Sequence, residues 1–501
     1  MITNHSYLDN PTFRGMRQSF MGSFEDIYVL NLHGNSLKRE VCPDGSPDQN
    51  VFDIRQGVAI AFFIKRGERK RGGGAPRIRH AEIWGLRDHK YQWLEKYEVA
   101  NTDWRDLHPK SPFYLFIPRD EALGARYEAF PSVSQIFPVN SVGIVTARDG
   151  LTIHWSREDV WRTVTVFSRM DPELARQGYK LGKDTRDWKV ALAQKDLLDS
   201  GPSRDNVVPV LYRPFDMRYT YYTGRSRGFL CMPRPEVMRH MLRENLALIT
   251  ARTNKSPTVD HFYCAKNIVE TKCGESTVQS YTFPLYLYPG KDRLDLFAKL
   301  KPSGRQSNLT PKLIQALKAT HGREPATEQV FHYIYAVLYS TTYREKYAEF
   351  LRSDFPRIPF TADRELFIEM VTLGHRLTEL HLLRSPDLDQ PAARFEGAGD
   401  GRVAKSKSEG FLYEATEQRL HINKTQNFAP VPEEVWEYRV GGYQVCEKWL
   451  KDRKGRKLDH KDIQTYCRIV TALKRTIEIQ EEIDALYPQI EEKLLEIALN
   501  P

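Results

Sequence analysis

Cysteine is scarce: Cys42, Cys231, Cys264, Cys273, Cys446 and Cys467 stand among 501 residues, and no two form a CxxC pair. That spacing offers neither a zinc ribbon nor a disulfide framework and fits a reducing cytoplasm. No run of about 18 apolar residues occurs, and the first ten residues carry no basic segment followed by an apolar stretch. Neither a membrane span nor a secretory leader is predicted, and a soluble cytoplasmic protein is expected. Also missing are a GxxxxGK[ST] phosphate loop, a helicase box and any internal repeat, so no translocase is expected here. His332, His375 and His381 have no carboxylate or cysteine at ligand spacing, so they read as structural and no metal is expected.

What is present begins with length and charge. A chain of 501 residues is long enough for two to four domains, each with its own core. Lysine and arginine number 74 against 65 aspartates and glutamates, a formal charge of +9, which points to a polyanionic partner.

Hydrophobic periodicity predicts a strand over residues 2–8, an amphipathic helix over 14–24 and strands over 27–32 and 58–65, the last apolar enough to be buried on both faces. Another strand is predicted near 81–86. A sheet that opens at residue 2 with no preceding βα unit reads as the last portion of an α/β sheet, so the chain is expected to begin within a domain. The Gly- and Arg-rich stretch 65–79 is a solvated hairpin loop or a phosphate-facing arm. Helices are predicted over 159–168 and 185–199, β structure over 207–289, and helices over 311–321, 327–351 and 363–383. Short strands over 384–445 precede one or two long helices over 460–498, with a packing stripe of Ile463, Ile469, Leu473, Ile477, Ile483 and Leu486. The expected fold class is α/β plus mixed α+β in four segments: the sheet remnant 1–98, a mixed part 99–290, a helical part 291–385 and a closing part 386–501 that ends in long helices.

Two segments carry recognition chemistry. Over residues 207–242, Arg213, Arg218, Arg225, Arg227 and Arg234 interleave with Tyr212, Tyr219, Tyr221, Tyr222 and Phe229. Guanidinium forks suit phosphates and guanine edges, and aromatic rings support a displaced base. The same pattern suits a half-buried β surface along which arginines extend. Over residues 435–458, Lys448, Lys451, Arg453, Lys454, Arg456 and Lys457 face only Glu447 and Asp452. That leaves a local excess of about four positive charges, suited to phosphates or simply to a solvated face.

The opening block ITNHSYLDNPTFRGMRQSF, then DIYVLNLHGNS and NVFDIRQGVAIAFFIKR, closely resembles the later motifs of adenine-specific amino-methyltransferases of single-polypeptide Type I (Type ISP) and Type IIG restriction-modification enzymes. In that family the ITNxSYL strand follows the catalytic Asn-Pro-Pro-Tyr loop, and the VFDIxxGVAI strand lines the pocket for the flipped base. The resemblance implies a base pocket near Asn4, Ser6, Asn50, Phe52, Ile54 and Gly57, with Gly57 allowing close backbone approach. Taken alone, Phe52, Ile54 and Val58 read as core residues.

Residues 207–242 resemble the start of the Type ISP specificity region, and 435–458 resemble its end. Residues 331–360 also recur in these enzymes, their Tyr and Phe stripe reading as helix-packing core. The resemblance thus implies the C-terminal portion of a Rossmann-like methyltransferase sheet followed by a target-recognition region with a helical segment. It implies contact with double-stranded DNA through Arg213, Arg218, Tyr221, Tyr222, Arg225, Arg227, Arg234, Tyr443, Lys448, Lys451, Arg453, Lys454, Arg456 and Lys457. S-adenosylmethionine is implied for the complete enzyme but not for this chain alone, and an upstream methyltransferase, nuclease or translocase polypeptide is an implied partner.

Two look-alikes are set aside. Asn10-Pro11-Thr12-Phe13 has Thr12 in place of the second proline and follows the ITNHSYL strand, so it reads as a helix-initiating turn. Phe395-Glu396-Gly397-Ala398-Gly399 fits a donor-loop pattern but leads into Asp400-Gly401 rather than a helix, so it reads as a surface turn. No catalytic residue is therefore expected. The expected function is sequence-specific DNA binding, as the target-recognition part of an N6-adenine methyltransferase that is incomplete for catalysis on its own. A stand-alone specificity or anti-restriction protein is the alternative, and an RNA-binding reading finds no RNA motif.

Overall fold

The computed structural model describes residues 1–37, 40–66, 75–111, 113–256, 258–289 and 304–497. The chain divides into two compact units, Met1–Gly124 and Ala125–Pro501, so beyond residue 124 the three later expected segments share one unit. No described helix is long and apolar enough to cross a membrane.

In the first unit, β1 (Ile2–Asn4), β2 (Asp26–His33), β3 (Val58–Ile64), β4 (Arg77–Glu82) and β5 (Arg105–Leu107) form one sheet in the order β1-β3-β2-β4-β5. β3 runs antiparallel to both β1 and β2, and β4 runs parallel to β2. Alternate residues of β2 serve opposite faces. Ile27 and Val29 join Tyr7, Ile78 and Phe116, covered by Phe20 and Met21 of helix α1 (Arg14–Ser23). Leu30 and Leu32 join Val51, Val58 and Ile83, covered by Trp93 and Leu94 of helix α2 (Arg87–Lys96).

The opening strand is shorter than expected because the Asn4 side chain accepts from Ser6 N–H and turns the chain into a 3-10 helix at His5–Tyr7. Asn10 likewise caps the turn Pro11–Phe13 that leads into α1, the helix-entry role read from the sequence. Burial of β3 on both faces holds only for its first half. β1 pairs with β3 no further than Ile60, and beyond it Phe62 is 42% exposed. The strand expected near 81–86 begins earlier, at Arg77, and its register is hidden in sequence by Arg77 and Arg79, which pair with Asp26 and Asp106. Residues 67–74 of the Gly- and Arg-rich stretch lie outside the described residues.

The second unit combines small sheets with a helical core. The hairpin Val207–Arg213/Asp216–Tyr221 is extended by the parallel strand Ile268–Val269. Ala247–Ala251 lies between Phe262–Ala265 and Ser280–Pro284 in a second sheet. Arg394–Glu396, Asn427–Ala429, Arg419–His421 and Leu412–Glu414 form a third. Helices Thr327–Tyr339, Arg364–His381 and His460–Glu492 pack on one another. The helix expected over 327–351 breaks at Ser340, which caps the following helix and donates to Asp484. The terminal helix is single, and its buried stripe runs through Tyr466, Ile469, Leu473, Thr476, Ile483 and Tyr487, with Ile463, Ile477 and Leu486 only partly covered.

Polar groups inside this helical core are satisfied internally. The Tyr335 hydroxyl meets His381 Nδ1 at 2.6 Å, and His381 Nε2 meets Thr476 Oγ1 at 2.9 Å. Burial pushes His381 down to about 3 and His261 and His332 down to about 4. In the unfolded chain each titrates near 6.5, so the unfolded state takes up protons first as pH falls. Stability is therefore fully present above about pH 6.5 and declines toward about pH 4. We expect the melting temperature of the second unit to be level from about pH 8 to about pH 7 and to fall steeply by about pH 5, as its unfolding free energy drops by as much as about 1.4 kcal/mol per pH unit for each histidine. A melting temperature unchanged between about pH 7 and about pH 5 would contradict this account.

Candidate nucleic-acid interface

In the first unit, the chain leaves β2 through Gly34, whose φ of +83° and lack of a Cβ let its backbone press against Asn50. Residues 48–57 then form a loop that leads into β3, and α2 clamps it. Arg87, Lys90 and Tyr91 lie on one helical face at i, i+3 and i+4. Lys90 Nζ donates to Gln49 O at 2.7 Å, Arg87 Nε to Asn50 O at 2.8 Å, the Tyr91 hydroxyl to Val51 O at 2.5 Å, and Arg87 Nη2 to Phe52 O at 3.2 Å. Four successive carbonyls are thus held by three side chains.

Beneath them Lys90 Nζ lies 2.6 Å from Asp48 Oδ1, and both side chains are 0% exposed. Asp48 also accepts from Gly34 N–H at 2.6 Å and Gly85 N–H at 2.9 Å. Asn50 Nδ2 spans the loop to Gly34 O and Gln56 O, and its Oδ1 accepts from Phe52 N–H at 2.9 Å. The result is a stiff platform from which Phe52 and Ile54 project, 44% and 47% exposed.

Of the residues of the expected base pocket, Asn50, Phe52, Ile54 and Gly57 lie on this loop, and Asn4 and Ser6 flank His5, which meets it at Gly57. Asn4 and Ser6 are bonded to each other at the end of β1, His5 N–H donates to Gly57 O at 2.9 Å, and a Cβ on Gly57 would collide with the His5 ring. The reading of Phe52 and Ile54 as core is corrected, because the polar clamp holds them off the sheet; Val58 is core. Asp48, Arg87, Lys90 and Tyr91 were missed by sequence reasoning. Their signal was the R-x-x-K-Y spacing, but no helix was expected over 87–96.

Beside His5 lies a cavity of about 250 Å³ lined by His5, Asn31, His33, Glu40 and Glu82 and, among its apolar walls, by Leu8, Ile117 and Pro118. It sits at the C-terminal ends of the parallel strands β2 and β4, where α/β sheets place ligands. The hydrogen bond from His33 holds the Glu82 carboxyl below its ordinary range, and Trp84 stacks on the His33 ring at 3.3 Å.

In the second unit the fold separates the expected contact residues. One set turns inward around the fully buried Asp216, which takes Arg218 at 2.8 Å and Arg453 at 2.9 Å. Their guanidinium groups alternate with rings. Arg218 lies over Trp155 and Tyr212 at 3.9 and 4.0 Å, Arg456 over Trp155 at 4.0 Å, and Arg453 over Trp449 at 3.3 Å. Arg213 pairs with Glu270 at 2.6 Å, and burial pushes the Glu270 carboxyl up against the pull of that cation. Burial lowers the Arg453 pKa, opposed by Asp216. Tyr221 is buried, its hydroxyl bonded to Ser203 N–H and Asn206 Nδ2, and the buried Tyr222 donates to Pro233 O. Tyr443, half-buried, donates to Lys272 O, and Arg234 is half-buried in a left-handed turn.

The expectation of one continuous contact cluster is therefore corrected: Asp216, Glu270 and Asp452 draw the inner arginines away from solvent. The outer set comprises Arg225 and Arg227, beside Asp199 and Asp187, Lys448 and Lys451, paired with Asp452 and Glu447, and the exposed Lys454 and Lys457.

A clamped apolar platform in one unit and a ring-stacked arginine core beside exposed lysines in the other belong to a mixed α/β protein. The chain matches the Type ISP C-terminal specificity domain over residues 135–482 and belongs to that family. Similar folds are found in the DrdV–DNA complex solved by cryoEM, at 21% identity and a TM-score of 0.68 over 96% of this chain and 50% of that one. A nuclease-deletion mutant of the Type ISP restriction-modification enzyme LlaGI, in complex with a DNA substrate mimic, gives 21% and 0.63 over 96% and 46%. The ATP-dependent Type ISP enzyme LlaBIII, bound to DNA, gives 20% and 0.68 over 96% and 32%. The chain thus spans half or less of the length of these proteins. No curated protein matches it.

Removing one partner of a buried ion pair strands the other. We expect Lys90→Met to cost about 3–5 kcal/mol in urea unfolding of the first unit, whereas Lys454→Ala, at an exposed site, stays within about 0.5 kcal/mol of the parent. Equal, small effects of the two would show that the clamp contributes nothing to the platform.

Proposed function

We propose that this chain recognises the DNA target of a restriction-modification enzyme that methylates adenine at its exocyclic nitrogen. Membership of the specificity-domain family over residues 135–482 carries the recognition part of this reading. Among the similar structures DrdV and LlaBIII are bound to DNA and LlaGI to a DNA substrate mimic, which supports a DNA partner here.

In this reading the outer cations, Lys454 and Lys457 above all, neutralise phosphates and position the duplex, while the inner arginines hold the surface in shape. The first unit receives the extruded base. Phe52 offers an aromatic face, Ile54 an apolar edge, and the Asn50 clamp fixes both before the base arrives, so little ordering is left to do on binding. The reversal of β3 between the parallel pair β1 and β2 supports taking this sheet as the later part of a methyltransferase sheet. S-adenosylmethionine and the catalytic tetrapeptide are then contributed by the remainder of the enzyme, together with any nuclease or translocase.

A library of duplexes presented to the purified chain at two salt concentrations tests recognition. Selection of one motif at both is expected; binding that vanishes uniformly with salt would leave only electrostatics and sink the reading. On the selected duplex, Lys454→Ala and Lys457→Ala should each reduce the salt slope by about one without changing the motif. Phe52→Ala should leave the paired duplex bound but weaken binding to a duplex mismatched at the target adenine by about 1–3 kcal/mol, the worth of one stacked base.

A further inference from the structure

The cavity beside His5 gathers two imidazoles and a carboxylate from three separate stretches of chain: His5 after β1, His33 at the end of β2, and Glu40 beyond it. Their donor atoms all lie within 4.8 Å of one another, and His5 Nε2 is 4.0 Å from Glu40 Oε1. In a tetrahedral zinc site, ligand atoms about 2.0–2.2 Å from the ion stand roughly 3.3–3.5 Å apart, so the three need to close by at most about 1.5 Å.

The surrounding hydrogen bonds fix the tautomers in the sense that ligation requires. Asn31 Oδ1, an acceptor, lies 3.0 Å from His5 Nδ1, so that nitrogen carries the proton and Nε2 carries the lone pair. Glu82 lies 3.1 Å from His33 Nε2, which therefore donates, and Asn31 Nδ2 approaches His33 Nδ1 at 3.4 Å, the distance of a weak donor to a lone pair. Each imidazole thus has a carboxylate or amide oxygen behind the ring, the arrangement that orients imidazole ligands at metal centres. Asn35 Nδ2, 3.2 Å from His5 Nε2, occupies the direction that an ion would take over.

We propose that His5, His33 and Glu40 bind one divalent ion of the zinc class, with Asn31 and Glu82 as the groups that orient the two imidazoles. Two nitrogens and one oxygen suit zinc over calcium or magnesium, and the cavity has room for a water or an added ligand in the fourth position. The ion would tie the segment that carries Glu40 to the ends of β1 and β2, and so stiffen the Gly34 turn on which Asn50 and its loop rest. This departs from the expectation of no metal drawn from sequence and does not depend on the DNA-recognition reading, because its readout involves no nucleic acid.

The test uses the full chain, stripped with a chelator and titrated with Zn²⁺ by calorimetry and with Co²⁺ by visible absorption. One equivalent of ion and the d–d bands of a four- or five-coordinate cobalt centre are expected. Glu40→Gln, which retains an oxygen to accept from Asn35 N–H, and His33→Ala should each weaken binding at least about tenfold, and Glu82→Gln should weaken it by about 10- to 100-fold. Absence of a stoichiometric site at micromolar ion, or binding undiminished by Glu40→Gln, overturns the proposal. Should His33→Ala fail to fold, Glu40→Gln alone decides.

Discussion

A carboxylate without access to water has to be met by cations and N–H groups from whatever parts of the chain can reach it, and one such carboxylate organises each unit. Asp48 collects Lys90 and the backbone N–H groups of Gly34 and Gly85. Asp216 collects Arg218 and Arg453. Taking these charges out of water costs several kcal/mol per ion, and the attraction between them offsets that only when the remaining hydrogen-bonding positions are also filled. Each carboxylate therefore fixes several backbone and side-chain positions at once. The parts so fixed are the loop that bears Phe52 and the junction between the hairpin Val207–Arg213/Asp216–Tyr221 and the turn that follows Val445–Lys451.

The same requirement sorts the positive charges. An arginine that is ringed by Trp155, Tyr212 or Trp449 and bonded to a buried carboxylate has already spent its charge and its donors. Its contribution is to the shape of the surface around it. The lysines at 454 and 457 remain exposed, with their ammonium groups open to solvent. In the cluster around Asp216 and Trp155 the inner cations are arginines, whose planar guanidinium groups stack and fork, while Lys454 and Lys457 at its edge keep their ammonium groups in water.

The long helices were legible in sequence because burial on one face imposes a period of 3.6 residues, and Ile469, Leu473 and Ile483 display it over 15 positions. The blocks that carry the candidate site were legible as blocks. The direction in which their side chains point was not. Whether Arg218 faces water or Asp452 depends on a residue 234 positions away, and whether Arg453 reaches Asp216 depends on one 237 positions away. Local alternation contains no record of either. Helix α2 was invisible for a related reason: its central buried residue is Lys90, so its amphipathic pattern reads inverted, with a cation where an apolar residue is looked for.

A phenylalanine and an isoleucine left about half exposed forgo part of the roughly 1.5–3 kcal/mol that burying each would contribute. An unconstrained loop of this length would fold them back onto Leu30 and Val51. What prevents it is the set of bonds from Arg87, Lys90 and Tyr91 to the carbonyls of residues 49 to 52, each worth about 0.5–1.5 kcal/mol net and together enough to match the lost burial. A fold that sets polar bonds against apolar collapse at one loop, and does so from a single helical face, keeps two apolar side chains at the surface. Local burial is given up there in exchange for a loop whose conformation is fixed by the helix.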